Sequence, residues 1–245
     1  STMAYPLPTA SLDTAPLRPG ALEPLMALIQ QHIADARYPG CQVALAHQGR
    51  LLLNQSFGQA RLGQGNPADT QAMEADNDTL WLLYSNTKVI TATALWKLHE
   101  QGRLRFTDTV ADHLPEFARH DKGAITLFQV ITHQGGFPDA EVATSVAHDH
   151  ARVRELVCDF KPQWPAGSRI HYHGLSAHWV LGMVIEAITG QDFRQAITDL
   201  VIRPLGLEHD LFVGLPSREQ SRMSFLYEPG SAPGSYQLRL DRKST

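Results

Sequence analysis

Residues 79–102, TLWLLYSNTKVITATALWKLHEQG, constrain the chain more than any other segment. An apolar run from Leu80 to Tyr84 stops at Ser85, and a helical period then begins, with Val89, Ala92, Leu95, Trp96 and His99 three or four apart. Gly102 stands where the left-handed residue after a helix belongs. Ser85 is therefore expected at a helix N-terminus, with Lys88 one turn later on the same face. The spacing S-x-x-K sets a hydroxyl beside an amine at the positive end of a helix dipole. Two readings of that pair stay open. Ser85 can be a helix cap with Lys88 solvated, or it can be a nucleophile whose proton the lysine helps to move.

Composition narrows the setting. The 245 residues are 43% apolar and 19% charged, with net charge −4, the balance of an ordinary globular chain. Mild acidity disfavours a nucleic-acid partner, which would call for a basic face. No apolar run approaches the ~20 residues of a helical membrane span, so a soluble chain is expected, its compartment open. Cys41 and Cys158 are too few for a disulfide framework and read as small buried hydrophobes.

In order, residues 1–19 read as an extended N-terminal arm and residues 20–245 as one α+β domain. Its first part, 20–60, holds an amphipathic helix from Gly20 to Arg37 and a hairpin of Cys41–His47 with Leu51–Phe57. Residues 58–78, rich in Gly, Asn, Asp and Gln, read as a surface loop. A mostly helical subdomain follows over 79–215, and 216–245 reads as a loop-rich tail. Within the subdomain, Thr107-Asp108 and Thr126 are candidate helix caps, and His133-Gln134-Gly135-Gly136-Phe137-Pro138 is a loop. Ser176 or Gly174 opens a long helix closed by Gly190, and Asp192 opens another that Pro204 stops.

Five segments, in order, resemble one family: the serine β-lactamases, penicillin-binding proteins and class C β-lactamase-like esterases. They are PGCQVALAHQGRLLLNQSFGQA at 39–60, the stretch from Leu80 to Phe117, ITHQGGFP at 131–138, PAGSRIHYHGLSAHWVLGMVIEAITGQDF at 165–193, and Pro204-Leu205-Gly206-Leu207. The resemblance implies an antiparallel sheet flanked by helices, plus a helical subdomain carrying the catalytic motifs. Residue by residue, it makes Ser85 the acyl-accepting nucleophile, Lys88 its proton partner, and Tyr172 the tyrosine of the family's Y-x-N motif. Trp164, His173, Gly174, Tyr84 and Gln134 are then candidate substrate contacts. The implied substrate is a small acyl compound, with no metal and no cofactor.

Two departures shape the expectation. Tyr172-His173-Gly174 has glycine where the family carries asparagine, removing an amide that could hydrogen-bond a substrate amide. That favours an ester over a β-lactam or a peptide. Nor does a K-T-G or H-x-G segment follow Gly206, although the family's strand bearing it supplies a second oxyanion donor and completes the sheet. The C-terminal strands are thus expected to be missing from this chain, and a homo-oligomer or strand exchange would complete the sheet. The leading expectation is a serine hydrolase, esterase or acyl transferase. Behind it stand a D,D-peptidase or β-lactamase, and a non-catalytic or incomplete module needing a partner chain. The histidine groups His148-Asp149-His150 and His171-Tyr172-His173 lack zinc-site spacing and read as solvated.

Overall fold

A computed structural model describes residues 7–65 and 68–239. The chain divides into two compact units, one from residues 1–82 and 215–244, the other from 83–214. Residues 1–6, 66–67 and 240–245 lie outside the described residues.

The first unit begins with α1 (Glu23–Ala34), whose Pro24 sits in the first turn where its missing N–H costs nothing. The expected hairpin forms from β1 (Gly40–His47) and β2 (Arg50–Leu62), paired antiparallel from Gly40↔Gly58 to His47↔Arg50. One expectation changes here. Residues 58–78 are not all loop, because β2 runs on to Leu62 and pairs with β3 (Ala72–Glu74), giving the sheet order β1-β2-β3. Part of the arm lies along β2, where Leu51 donates its N–H to Pro8 O and accepts from Ala10 N. Past Pro216, where the sequence reads as loop, β4 (Tyr227–Pro229) and β5 (Tyr236–Leu238) form a short hairpin. Strands of three residues leave almost no periodic signal, which is why the sequence hid them.

The second unit is helical and holds the main core. Its long members are α2 (Thr87–Glu100) and α6 (Ser176–Thr189), which pack together. Between them lie α3 (Val110–His113), α4 (Leu127–Ile131) and α5 (His150–Cys158), and α7 (Phe193–Ile197) follows. Thr126 caps α4 as expected, its side chain accepting from Gln129 N while Gln129 reaches back to Thr126 N. The α3 cap is Thr109 rather than Thr107 or Asp108, because Asp112 stands three residues on to complete a capping box. Gly190, at φ 69°, ends α6 in the left-handed conformation that a side chain would strain. Leu95, Leu98, Leu114, Phe117, Phe137, Leu181, Ile185 and Ile197 are fully buried in one cluster, each contributing roughly 1.5–3 kcal/mol on burial.

The buried stripe of α2 differs from the expected one. Thr91, Ala94, Leu95 and Leu98 face inward, whereas Val89 is 70% and Trp96 58% exposed. The helix carries two apolar stripes, and packing selected the one with small residues, which admit a close neighbour. That stripe, extended one turn back, meets Lys88, which is therefore only partly exposed.

Lys122 is fully buried, its ammonium donating to the carbonyls of Arg119 (2.9 Å) and Cys158 (2.8 Å) and lying over the Phe117 ring. Burial pushes its amine down to about 8. Lys122→Ala would leave a cavity and strand both carbonyls, so a loss of roughly 3 kcal/mol in urea unfolding is expected. Among the described residues no helix is long and apolar enough to cross a membrane.

Candidate active site

Ser85 lies in a single 3-10 turn, Tyr84–Asn86, that runs directly into α2. Its predecessor Tyr84 has φ 47°, a left-handed value that a bulky aromatic rarely adopts. The bend lifts Ser85 out of the chain path, at the end of α2 where unpaired N–H groups gather. Lys88, three residues on, points its ammonium back and donates to Ser85 Oγ at 3.1 Å. From 87 positions further along the sequence, Tyr172 places its hydroxyl 2.7 Å from the same oxygen. The Lys88 amine also lies 5.0 Å from the Tyr172 ring centroid. One serine oxygen thus sits between an amine and a phenol. The hydrogen bond of Lys88, then that of Ser85, holds the Tyr172 phenol below its usual value.

Tyr172 stands on the loop between α5 and α6, 53% exposed, and the loop is held from beneath. Gly136 lets two backbone segments approach closely, since a β-carbon there would fall 2.3 Å from the Trp164 carbonyl oxygen, and its φ is 86°. Gln163 N donates to Gly136 O, and Gly167 N to Gln134 O. Ser176, buried at the start of α6, donates to Phe137 O at 2.9 Å. Three backbone segments are joined in this way around Tyr172.

The remaining expected contacts are dispersed. Gln134 spends its amide N–H on Thr132 Oγ1. Trp164 carries the Arg169 guanidinium over its ring at 4.2 Å and meets the His171 ring edge-on. His173 is turned inward, only 1% exposed, with Nδ1 against His171 O and Nε2 accepting from Phe137 N. With both ring nitrogens occupied by backbone, it holds the loop instead of reaching outward. Gly174 has room, since a β-carbon would meet only the Tyr172 ring, at 3.7 Å.

Two residues absent from the expected set also stand here. His133, at φ 60°, packs its ring 4.8 Å from that of Tyr172 and accepts from His173 N through Nδ1 at 3.1 Å. His178, in the first turn of α6, is held neutral, because burial pushes its imidazole down to about 3 and the Lys88 ammonium opposes protonation. Nothing in the local sequence flags either one, although histidine is enriched at positive φ.

Away from Ser85, His150 is not grouped with His148. Its Nδ1 lies 2.6 Å from Glu186 Oε2 and 3.6 Å from Asp192 Oδ2. Asp192 also accepts a two-pronged pair of bonds from Arg194, which holds its carboxyl down to about 2. Glu186 accepts from Phe193 N as well. The group ties α5 to α6 and to the start of α7.

Known proteins resemble this chain along most of its length. A candidate D-alanyl-D-alanine carboxypeptidase of Escherichia coli O157:H7 is 27% identical over 227 residues, covering 86% of this chain and 52% of that protein. The crystal structure of a penicillin-binding protein homologue from Caulobacter crescentus superposes with a TM-score of 0.72 at 29% identity, over 86% of this chain and 55% of that one. A family VIII carboxylesterase gives 0.71 at 25% identity, over 84% and 55%. The chain spans about half the length of these relatives. The Beta-lactamase sequence profile matches residues 25–242, nearly the whole chain, which therefore belongs to the Beta-lactamase family.

Proposed function

We propose that the chain is a serine hydrolase that forms an acyl-enzyme at Ser85, with small carboxylic esters as its substrates. The observation that carries this reading is the single oxygen of Ser85 flanked by Lys88 Nζ at 3.1 Å and Tyr172 Oη at 2.7 Å. A serine hydroxyl alone is a weak nucleophile and needs a neighbour to take its proton. Tyr172, with its ionised form favoured by the Lys88 ammonium, is that neighbour. Ser85 Oγ attacks the ester carbonyl as its proton passes to the phenolate, and the carbonyl oxygen becomes an oxyanion beside the N-terminus of α2. The Ser85 N–H supplies one donor to it, an interaction of roughly 3–4 kcal/mol in other hydrolases. Collapse breaks the ester C–O bond, and Tyr172 returns the proton to the departing alkoxide. Water then repeats the sequence on the acyl-enzyme, releasing the acid and restoring Ser85.

The test is stopped-flow release of p-nitrophenol from p-nitrophenyl acetate and butyrate. A burst equal in amount to the protein, followed by a slower steady rate, is the expected result. A linear trace at the rate of buffer alone would contradict the reading.

A second reading, amide hydrolysis on penicillin-like or D-alanyl substrates, draws on the name of the Escherichia coli relative. Gly174 weighs against it, because no side-chain amide is present there to pair with a substrate amide. The open space at Gly174 makes the point testable. Gly174→Asn is expected to label with a fluorescent penicillin about tenfold faster than the unaltered protein, the gain from one new hydrogen bond. Equal labelling of both would show that amide recognition does not depend on this position.

A further inference from the structure

Acyl transfer by Ser85, Lys88 and Tyr172 gives no task to the ring of His133, yet that residue touches three consecutive positions of the Tyr172 loop. Its carbonyl accepts from His171 N at 3.0 Å. Its imidazole packs against the Tyr172 ring, centroids 4.8 Å apart. Its Nδ1 accepts from His173 N at 3.1 Å. A histidine in the left-handed region, φ 60°, brings backbone and ring to the same neighbour at once. The residue before Tyr172, the residue itself and the residue after it are therefore all fixed by one side chain and its carbonyl.

The protonation state follows from the hydrogen bond. Nδ1 can accept from His173 N only while it carries no proton, so the imidazole here is neutral with its proton on Nε2. A second proton would remove the acceptor, leave the His173 N–H unpaired and set a cation near Lys88. Several elements present titratable groups to it: Lys88 from α2, His178 from α6, and Tyr172 and His173 from the loop. Burial, then the His173 ring, then Lys88 all oppose its charging.

We propose that His133 is a positioning residue for Tyr172, holding the phenol on Ser85 only while its own imidazole is neutral. The proposal rests on the acyl-enzyme reading of Ser85, and it adds a proton-sensitive support to that site. As the medium becomes acidic enough to charge His133, the loop loses the anchor at His173 N beside Tyr172 and turnover falls, without either Ser85 or Lys88 being altered.

Two variants separate anchoring from bulk. His133→Phe keeps a ring against Tyr172 and deletes the acceptor. His133→Asn keeps an acceptor, adopts positive φ readily, and deletes the titrating group. With p-nitrophenyl butyrate, His133→Phe is expected to lower kcat about tenfold or more with KM nearly unchanged, the scale of a small misplacement of a catalytic group. His133→Asn is expected to retain kcat within about threefold at pH 8 and to lose the His133 step of the acid-side fall in kcat, keeping only the step that Tyr172 ionisation sets, a change that simple destabilisation would not produce. If His133→Phe does not fold, long-range 15N–1H spectra of the unaltered protein decide, with Nδ1 bare and Nε2 protonated as the expected result. Wild-type kcat in His133→Phe, an unchanged acid limb in His133→Asn, or a protonated Nδ1 would each overturn the proposal. A wild-type protein that never acylates would instead overturn the Ser85 reading, while the ring spectra still report on His133.

Discussion

Ser85→Ala is expected to lower ester hydrolysis by roughly 10⁴-fold or more and to abolish the p-nitrophenol burst altogether. Nucleophile loss costs this much because the remaining groups cannot substitute for the covalent step, and only binding and oxyanion stabilisation survive. The hydroxyl is the shared partner of Lys88 and Tyr172, so its removal leaves those two side chains facing each other without the atom between them. The fold should not suffer. Ser85 is exposed, its turn is formed by backbone bonds, and a surface exchange of this size changes stability by about 0.5 kcal/mol at most. Steady-state rates and urea unfolding of the same preparation check both halves, and a variant retaining a tenth of the activity would remove Ser85 from the chemistry.

Tyr172→Phe is the second large effect. It deletes one oxygen, the one 2.7 Å from Ser85 Oγ, and leaves the ring on which His133 packs. General acid–base groups contribute about 10²- to 10⁴-fold, so kcat should fall within that range while KM changes little. The pH profile carries the sign. The Tyr172 phenol is held below the ordinary tyrosine value, chiefly by the hydrogen bond of Lys88. As the acting base it must be ionised in the free protein, so activity should rise with pH through its ionisation, and that rise should vanish in Tyr172→Phe. A variant within threefold of wild type, with an unaltered pH profile, would leave Tyr172 a bystander.

These two residues mark how far the sequence could be read. Ser85 and Lys88 announce themselves through local spacing, since a helical period starting at a serine fixes where a side chain three residues on must point. Tyr172 does not, because 87 residues separate it from Ser85 and only the resemblance over 165–193 placed it. The early hairpin and the helix ending at Gly190 were legible for the same local reason, alternation in one case and a left-handed stop in the other. The inward face of α2 was not legible. Val89 and Trp96 are as apolar as Leu95 and Leu98, and hydrophobicity alone cannot rank two apolar stripes when the choice depends on which neighbour can approach. His133 and His173 were hidden for another reason. Their tasks are hydrogen bonds to backbone 36 to 40 residues away, and a sequence carries no periodic trace of such pairings. The inward turn of His173 moves it from the substrate side to the scaffold, and the loop it holds is the one that carries Tyr172.

The most direct measurement is time-resolved intact-protein mass spectrometry after mixing with p-nitrophenyl butyrate, followed by peptide mapping. A transient species heavier by one butyryl group is expected, with the label on Ser85 alone, and it should be absent in Ser85→Ala. Turnover without any covalent species, or a butyryl group mapped to another residue, would contradict it.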